Sequence, residues 1–106
     1  MVYISDLNVL DEYVKLTNRG RDSVPMTGWT IANNGGKSFW FLQWTNPDGS
    51  KFDYELMGSS TVTIYTGREG NPTQTSLYWP EEMWNDTGDT AYLYDETGKL
   101  VSTLTR

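Results

Sequence analysis

Turn-forming residues recur so closely along this chain that no helix of ordinary length fits between them. They stand at Asn18-Arg19-Gly20, Asn33-Asn34-Gly35-Gly36, Asn46-Pro47-Asp48-Gly49, Gly58-Ser59-Ser60, Gly67 to Pro72, Asn85 to Asp89, and Glu96-Thr97-Gly98. Glycine permits positive φ there, and Asn or Asp can bond its own backbone. Such punctuation leaves about eight or nine short extended segments in 106 residues, the spacing of a sandwich or barrel.

Within the segments the side-chain period is two. Val14 and Leu16 share a face opposite Tyr13, Lys15 and Thr17; Trp29 and Ile31 alternate with Thr30 and Ala32; Val62 and Ile64 with Thr61, Thr63 and Tyr65; Ala91 and Leu93 with Tyr92 and Tyr94. These are half-buried antiparallel strands, so two sheets must face each other to cover the apolar sides. Pro25, Pro47, Pro72 and Pro80 all fall at turns or strand ends, where a missing N–H does least harm. Between Gly35 and Met57 the run Phe39-Trp40-Phe41-Leu42-Gln43-Trp44 reads as one strand with aromatics on both faces. The Asn46 to Gly49 turn joins it to Phe52-Asp53-Tyr54-Glu55, in a register that the pattern leaves open.

Residue types that are missing narrow the chemistry. The chain has no His and no Cys. The usual general base near neutral pH, the thiol nucleophile, the disulfide framework and the zinc site are therefore all unavailable. Gly67-Arg68-Glu69-Gly70 lacks both the spacing and the lysine of a phosphate cradle. No apolar run is long enough to span a bilayer, and the N-terminus lacks the layout of a signal peptide. Met1 stands directly against the strand-like run Val2-Tyr3-Ile4, which points to a domain excised from a longer polypeptide. With 14 acidic and 8 basic residues and a net charge of −6, the chain would repel a phosphate backbone, so nonspecific nucleic-acid binding is not expected. Arg19-Gly20-Arg21, followed by Asp22, reads as a solvated turn.

Paired carboxylates are the remaining catalytic option: Asp11 with Glu12, Asp53 with Glu55, Glu81 with Glu82, and Asp86 with Asp89. Glycoside hydrolysis needs one carboxyl of raised pKa across a cleft from an ionised partner. Pairs within surface turns rarely meet that demand, and turn formation with solubility is the better reading of each. Asn46 to Ser50 places oxygen-bearing side chains at alternate positions, but an EF-hand needs glycine sixth and glutamate twelfth. A hairpin turn accounts for it better; the Asn85 to Asp89 loop is similarly ambiguous, and no metal or cofactor is expected.

Five Trp, seven Tyr and three Phe exceed what one small core needs. Flat rings presented on a sheet can stack on sugars or anchor protein partners. Trp29 and Phe41 read as core, and Trp79 and Trp84 as closing one end. Tyr13, Tyr65, Tyr92 and Tyr94 point to the outer face, while Trp40 and Trp44 share a face opposite Phe39 and Phe41. The candidate binding residues are therefore Trp40, Trp44, Tyr92 and Tyr94.

The opening strand Asp11 to Asn18, then Met26 before Gly28-Trp29-Thr30-Ile31, carries a family resemblance. So do Val62-Thr63-Ile64-Tyr65, Leu77-Tyr78-Trp79, Trp84, Gly88 to Leu93 and Thr97 to Val101. Their order and spacing over nearly the whole chain resemble the lamin-tail domain. The resemblance implies an all-β, immunoglobulin-like β-sandwich of about nine short, mostly antiparallel strands, here a single domain over 1–106. The composition is similar to prokaryotic members in exported or surface proteins, and no sustained heptads support filament assembly. The implied role is a non-catalytic interaction or anchoring module of a larger exported or cell-surface protein. Its partner would be a protein or a cell-surface polymer, and the domain would be monomeric. The alternatives are a carbohydrate-binding module using exposed Trp and Tyr, and, more remotely, a carboxylate-pair hydrolase.

Overall fold

Alternation of side chains and frequent turns produce twelve strands in the computed structural model, which covers residues 1–106. They are β1 Val2–Asn8, β2 Tyr13–Asn18, β3 Val24–Pro25, β4 Thr30–Ala32, β5 Ser38–Trp40, β6 Trp44–Thr45, β7 Lys51–Phe52, β8 Glu55–Leu56, β9 Thr61–Thr66, β10 Ser76–Trp79, β11 Thr90–Tyr94 and β12 Leu100–Thr105. Eight of them build two four-stranded sheets, ordered β1-β2-β9-β10 and β12-β11-β4-β5. The two-residue strands pair separately, β3 with β8 and β6 with β7. All pairings are antiparallel except β9 with β10, which run parallel and are joined by the long Gly67 to Thr75 connection.

The inner faces are the expected ones. In the first sheet Leu7, Val14, Ile64 and Leu77 stand in one cross-strand row, and Ile4, Leu16 and Val62 in the next. In the second sheet Phe39, Ile31 and Leu93 face them from the other side. One core of 19 buried hydrophobic residues draws on both sheets, and each fully buried aliphatic side chain in it contributes about 1.5–3 kcal/mol. The β1 and β12 edges close along one seam, where the Ile4 N–H donates to Ser102 Oγ at 3.0 Å.

The segment 38–56 departs from the sequence expectation. Phe39 to Trp44 is not one strand: β5 stops at Trp40, and Phe41 continues the contact with β4 through two backbone bonds. Its N–H donates to Trp29 O at 2.9 Å, and its carbonyl accepts from Gly28 at 2.8 Å. Leu42 and Gln43 lie outside any strand, which breaks the alternation. Trp44 consequently falls on the side of Phe39 and Phe41, with ring centroids 6.2 and 5.9 Å away, instead of joining Trp40. The expected turn is present, closed by Gly49 N–H to Asn46 O at 2.9 Å, but it links β6 to β7. Glu55 and Leu56 pair instead with β3.

Candidate functional site

A concavity of about 540 Å³ opens at one end of the sandwich between Asn33–Lys37 and Glu82–Asp89. Its geometry depends on two buried carboxylates. The β1–β2 turn is folded by Asn8 Oδ1, which accepts the N–H groups of Leu10 (3.1 Å) and Asp11 (2.9 Å). The chain then passes through Glu12 with φ of 58°, a left-handed conformation that costs a non-glycine residue about 1 kcal/mol or more. That backbone turns the Glu12 side chain inward, where it is 8% exposed. Its Oε1 accepts from Thr66 Oγ1 and Met83 N–H, both at 2.8 Å, and its Oε2 accepts from Trp84 N–H at 3.1 Å. The Glu12 carbonyl takes the Thr66 N–H at 2.9 Å. One residue thus ties the β1–β2 turn to the end of β9 and to the loop before β11.

Asp89 does the same for the neighbouring loops. It is 5% exposed, and its carboxylate accepts from the N–H groups of Asn34 (3.0 Å), Thr90 (2.8 Å) and Asn85 (3.0 Å). Lys37 Nζ donates to Glu82 O at 2.8 Å and Asn33 Nδ2 donates to Met83 O across the same cleft. The reading of Asp11–Glu12 and Asp86–Asp89 as surface turn pairs therefore needs correction. Asp11 and Asp86 are exposed, whereas Glu12 and Asp89 are internal acceptors for backbone donors. Sequence reasoning missed Glu12 because its partners Met83 and Trp84 lie 71 and 72 residues away, and Asp89 because its bond from Asn34, 55 residues away, is what ties its local turn to another loop. Trp29 Nε1 and Trp84 Nε1 are buried without an acceptor.

The aromatic candidates divide between two environments. On the outer face of the first sheet Tyr13, Tyr65 and Tyr78 form a cross-strand row. Tyr65 stacks on Tyr78 at 5.4 Å and meets Tyr13 edge-on at 6.1 Å. The Arg68 guanidinium lies 4.8 Å from the Tyr65 ring and Lys15 Nζ 5.6 Å from the Tyr13 ring. Gly70 packs so tightly on Tyr78 that a Cβ there would sit 2.7 Å from the ring. These tyrosines are engaged by their own chain.

The outer face of the second sheet is different. Pairing of β12, β11, β4 and β5 places Leu100, Tyr94, Thr30 and Trp40 in one row, and Thr103, Tyr92, Ala32 and Ser38 in the next. Trp40 is 52% exposed. Thr30, in register between the Tyr94 and Trp40 rings, is only 8% exposed, so the larger side chains beside it shield it. Tyr92 keeps its hydroxyl on Asn34 Oδ1 at 2.7 Å. Trp40, Tyr92 and Tyr94 thus share one face, a coincidence that alternation within separate strands left open and strand pairing decides. Trp44 does not: it is half-buried against Phe39, Phe41, Tyr54 and Phe52. Thr30 and Leu100 belong to the face and escaped the sequence reading, because cross-strand neighbours are set by register, which alternation alone does not supply.

Residues 2–106 match the family model of the Lamin Tail Domain. The chain belongs to the lamin tail domain family. A search of curated proteins returned no match to it. The lamin tail domain is a non-catalytic immunoglobulin-like domain of the protein-interaction type, and the two facing sheets described above agree with that architecture. No helix in this lamin tail domain is long and apolar enough to cross a membrane.

The other acidic candidates are held locally. Asp53 Oδ1 accepts from Thr27 Oγ1 (3.3 Å) and Gln43 Nε2 (3.2 Å), and Glu55 Oε1 from Ser23 Oγ at 3.0 Å. Asp48 accepts from Ser50 Oγ at 2.6 Å and Ser50 N–H at 2.9 Å, which hold its carboxyl below the usual value. Asp95 is lowered in the same way, first by Thr97 Oγ1 at 2.6 Å. Both sit in turns of the lamin tail domain, and no three acidic side chains converge to hold an ion. Tyr54 is buried in the aromatic cluster, with its hydroxyl donating to Gln74 O at 2.6 Å, and burial pushes its pKa well above the ordinary tyrosine value.

Proposed function

We propose that this lamin tail domain is a non-catalytic interaction module that anchors a larger, exported or cell-surface protein, and that it works through the outer face of its second sheet. The observation that carries this reading is the contrast in use of side chains. The buried carboxylates Glu12 and Asp89 are engaged by backbone donors, while Trp40 and Tyr94 present rings that no aromatic or cationic side chain of the same chain stacks against. Placement at the cell surface rests on the resemblance of the acidic, Thr- and Asn-rich composition to that of exported family members.

Incubating the purified domain with glycoside, phosphodiester and peptide reporter substrates tests the non-catalytic part. No turnover is expected; turnover abolished by a single change such as Asp53→Asn would overturn it. Antibody raised against the domain should label intact source cells, and labelling confined to permeabilised cells would sink the surface assignment.

A further inference from the structure

Resting on the reading of this domain as an interaction module, we infer that the outer face of the second sheet binds a neutral polysaccharide, laid across the strands over Trp40 and Tyr94. Charge is the first argument. The chain carries a net charge of −6, yet the paired positions of β12, β11, β4 and β5 on this outer face hold no charged side chain. A nucleic acid would meet stackable rings but be repelled by the acidic whole, and a second copy would bring another −6. An uncharged partner avoids both penalties and suits a patch with no charge of its own.

Geometry is the second argument. Trp40 and Tyr94 stand in register on strands two steps apart, separated by Thr30 on β4, so their anchor points lie about 10 Å apart at the ordinary inter-strand spacing. That is comparable to the length of a disaccharide in an extended polysaccharide. Rings at this interval would meet the C–H faces of alternate sugars. Hydroxyls stand in the adjacent row: those of Thr103 and Ser38 flank Tyr92, whose own hydroxyl already donates to Asn34 Oδ1. On the first sheet the corresponding tyrosines are stacked on each other and covered by Arg68, so that face offers no equivalent platform. Trp44 is turned toward Phe39 and Phe41 and takes no part.

The test is binding of the whole chain to cellulose, chitin, arabinoxylan and galactomannan, with polygalacturonate and heparin as charged comparators. Binding to at least one neutral polymer is expected, unchanged by added salt. Trp40→Ala or Tyr94→Ala should weaken it about tenfold or more, Trp40→Phe should retain most of it, and Lys15→Ala on the opposite sheet should leave it intact. The inference is overturned if no neutral polymer binds, if binding survives both alanine changes, or if only charged polymers bind and salt removes them. Release of reducing ends from these polymers would instead overturn the non-catalytic reading, so the two failures are distinguishable.

Discussion

At the loop end of the sandwich Glu12 and Asp89 turn their carboxylates onto five backbone N–H groups, those of Met83, Trp84, Asn34, Asn85 and Thr90. On the outer face of the second sheet Trp40 stays half exposed, and neither it nor Tyr94 is stacked by another ring. Both regions carry residue types that suggest function, acidic pairs in one and aromatics in the other. The difference lies in whether the fold already uses them. A buried carboxylate bonded to backbone donors holds loops together, and removing it strands those donors. An exposed ring on a paired strand contributes little to folding and keeps its face for a partner.

The sharpest way to break this contrast is at Glu12. Glu12→Ala should lower unfolding free energy by about 3–5 kcal/mol, because several buried donors lose their acceptor at about 1–3 kcal/mol each. Chemical denaturation measures it. Glu12→Gly should lose less than Glu12→Ala by about 1 kcal/mol, since glycine relieves the left-handed backbone. Equal losses would show that the φ of 58° carries no strain.

Tyr54 extends the internally used side of the comparison to a neutral group. Tyr54→Phe should cost about 1 kcal/mol through loss of its bond to Gln74 O. Its folded-state pKa is raised by burial above 10.0, so its contribution is fully present below that value. As pH rises through it, the unfolded chain releases the proton first and stability falls. Denaturation midpoints of wild type and Tyr54→Phe should therefore converge toward alkaline pH.

On the other side, Trp40→Ala and Tyr94→Ala should each shift stability by no more than about 1 kcal/mol, the range for cross-strand side-chain pairs, since Trp40 is half exposed and Tyr94 half-buried. A loss comparable to that of Glu12→Ala would show that the face is structural, and would remove the contrast.

The smallest effects belong to Asp48 and Asp95, which are exposed turn residues. Their folded pKa values are lowered from 3.8 by bonds from Ser50 and Thr97. The stabilisation they contribute is present above 3.8 and lost as pH falls through the lowered values. Carboxyl-carbon NMR titration should place both midpoints below 3.8 and bring each back toward it in Ser50→Ala and Thr97→Ala.

Much of this molecule was legible in one dimension. Turn residues at Asn46 to Gly49 and Asn85 to Asp89, and alternation in Tyr13–Asn18, Thr61–Thr66 and Thr90–Tyr94, are local properties of the backbone and of side-chain period. They determined an all-β chain, its longer strands, their inner faces and the outward placement of Tyr92 and Tyr94, but not the division of residues 38–56 into short strands. Residues far apart in sequence were decided only by the tertiary structure. The break at Leu42-Gln43 moved Trp44 from the face of Trp40 into the aromatic cluster, because two residues outside strand geometry reset a period-two pattern. Register brought Trp40, Thr30 and Tyr94 into one row. Glu12 became an internal clamp because the fold delivers the Met83 and Trp84 N–H groups to it. Whether a carboxylate or a ring is used internally depends on what long-range packing brings within bonding distance, and no short stretch of sequence encodes that.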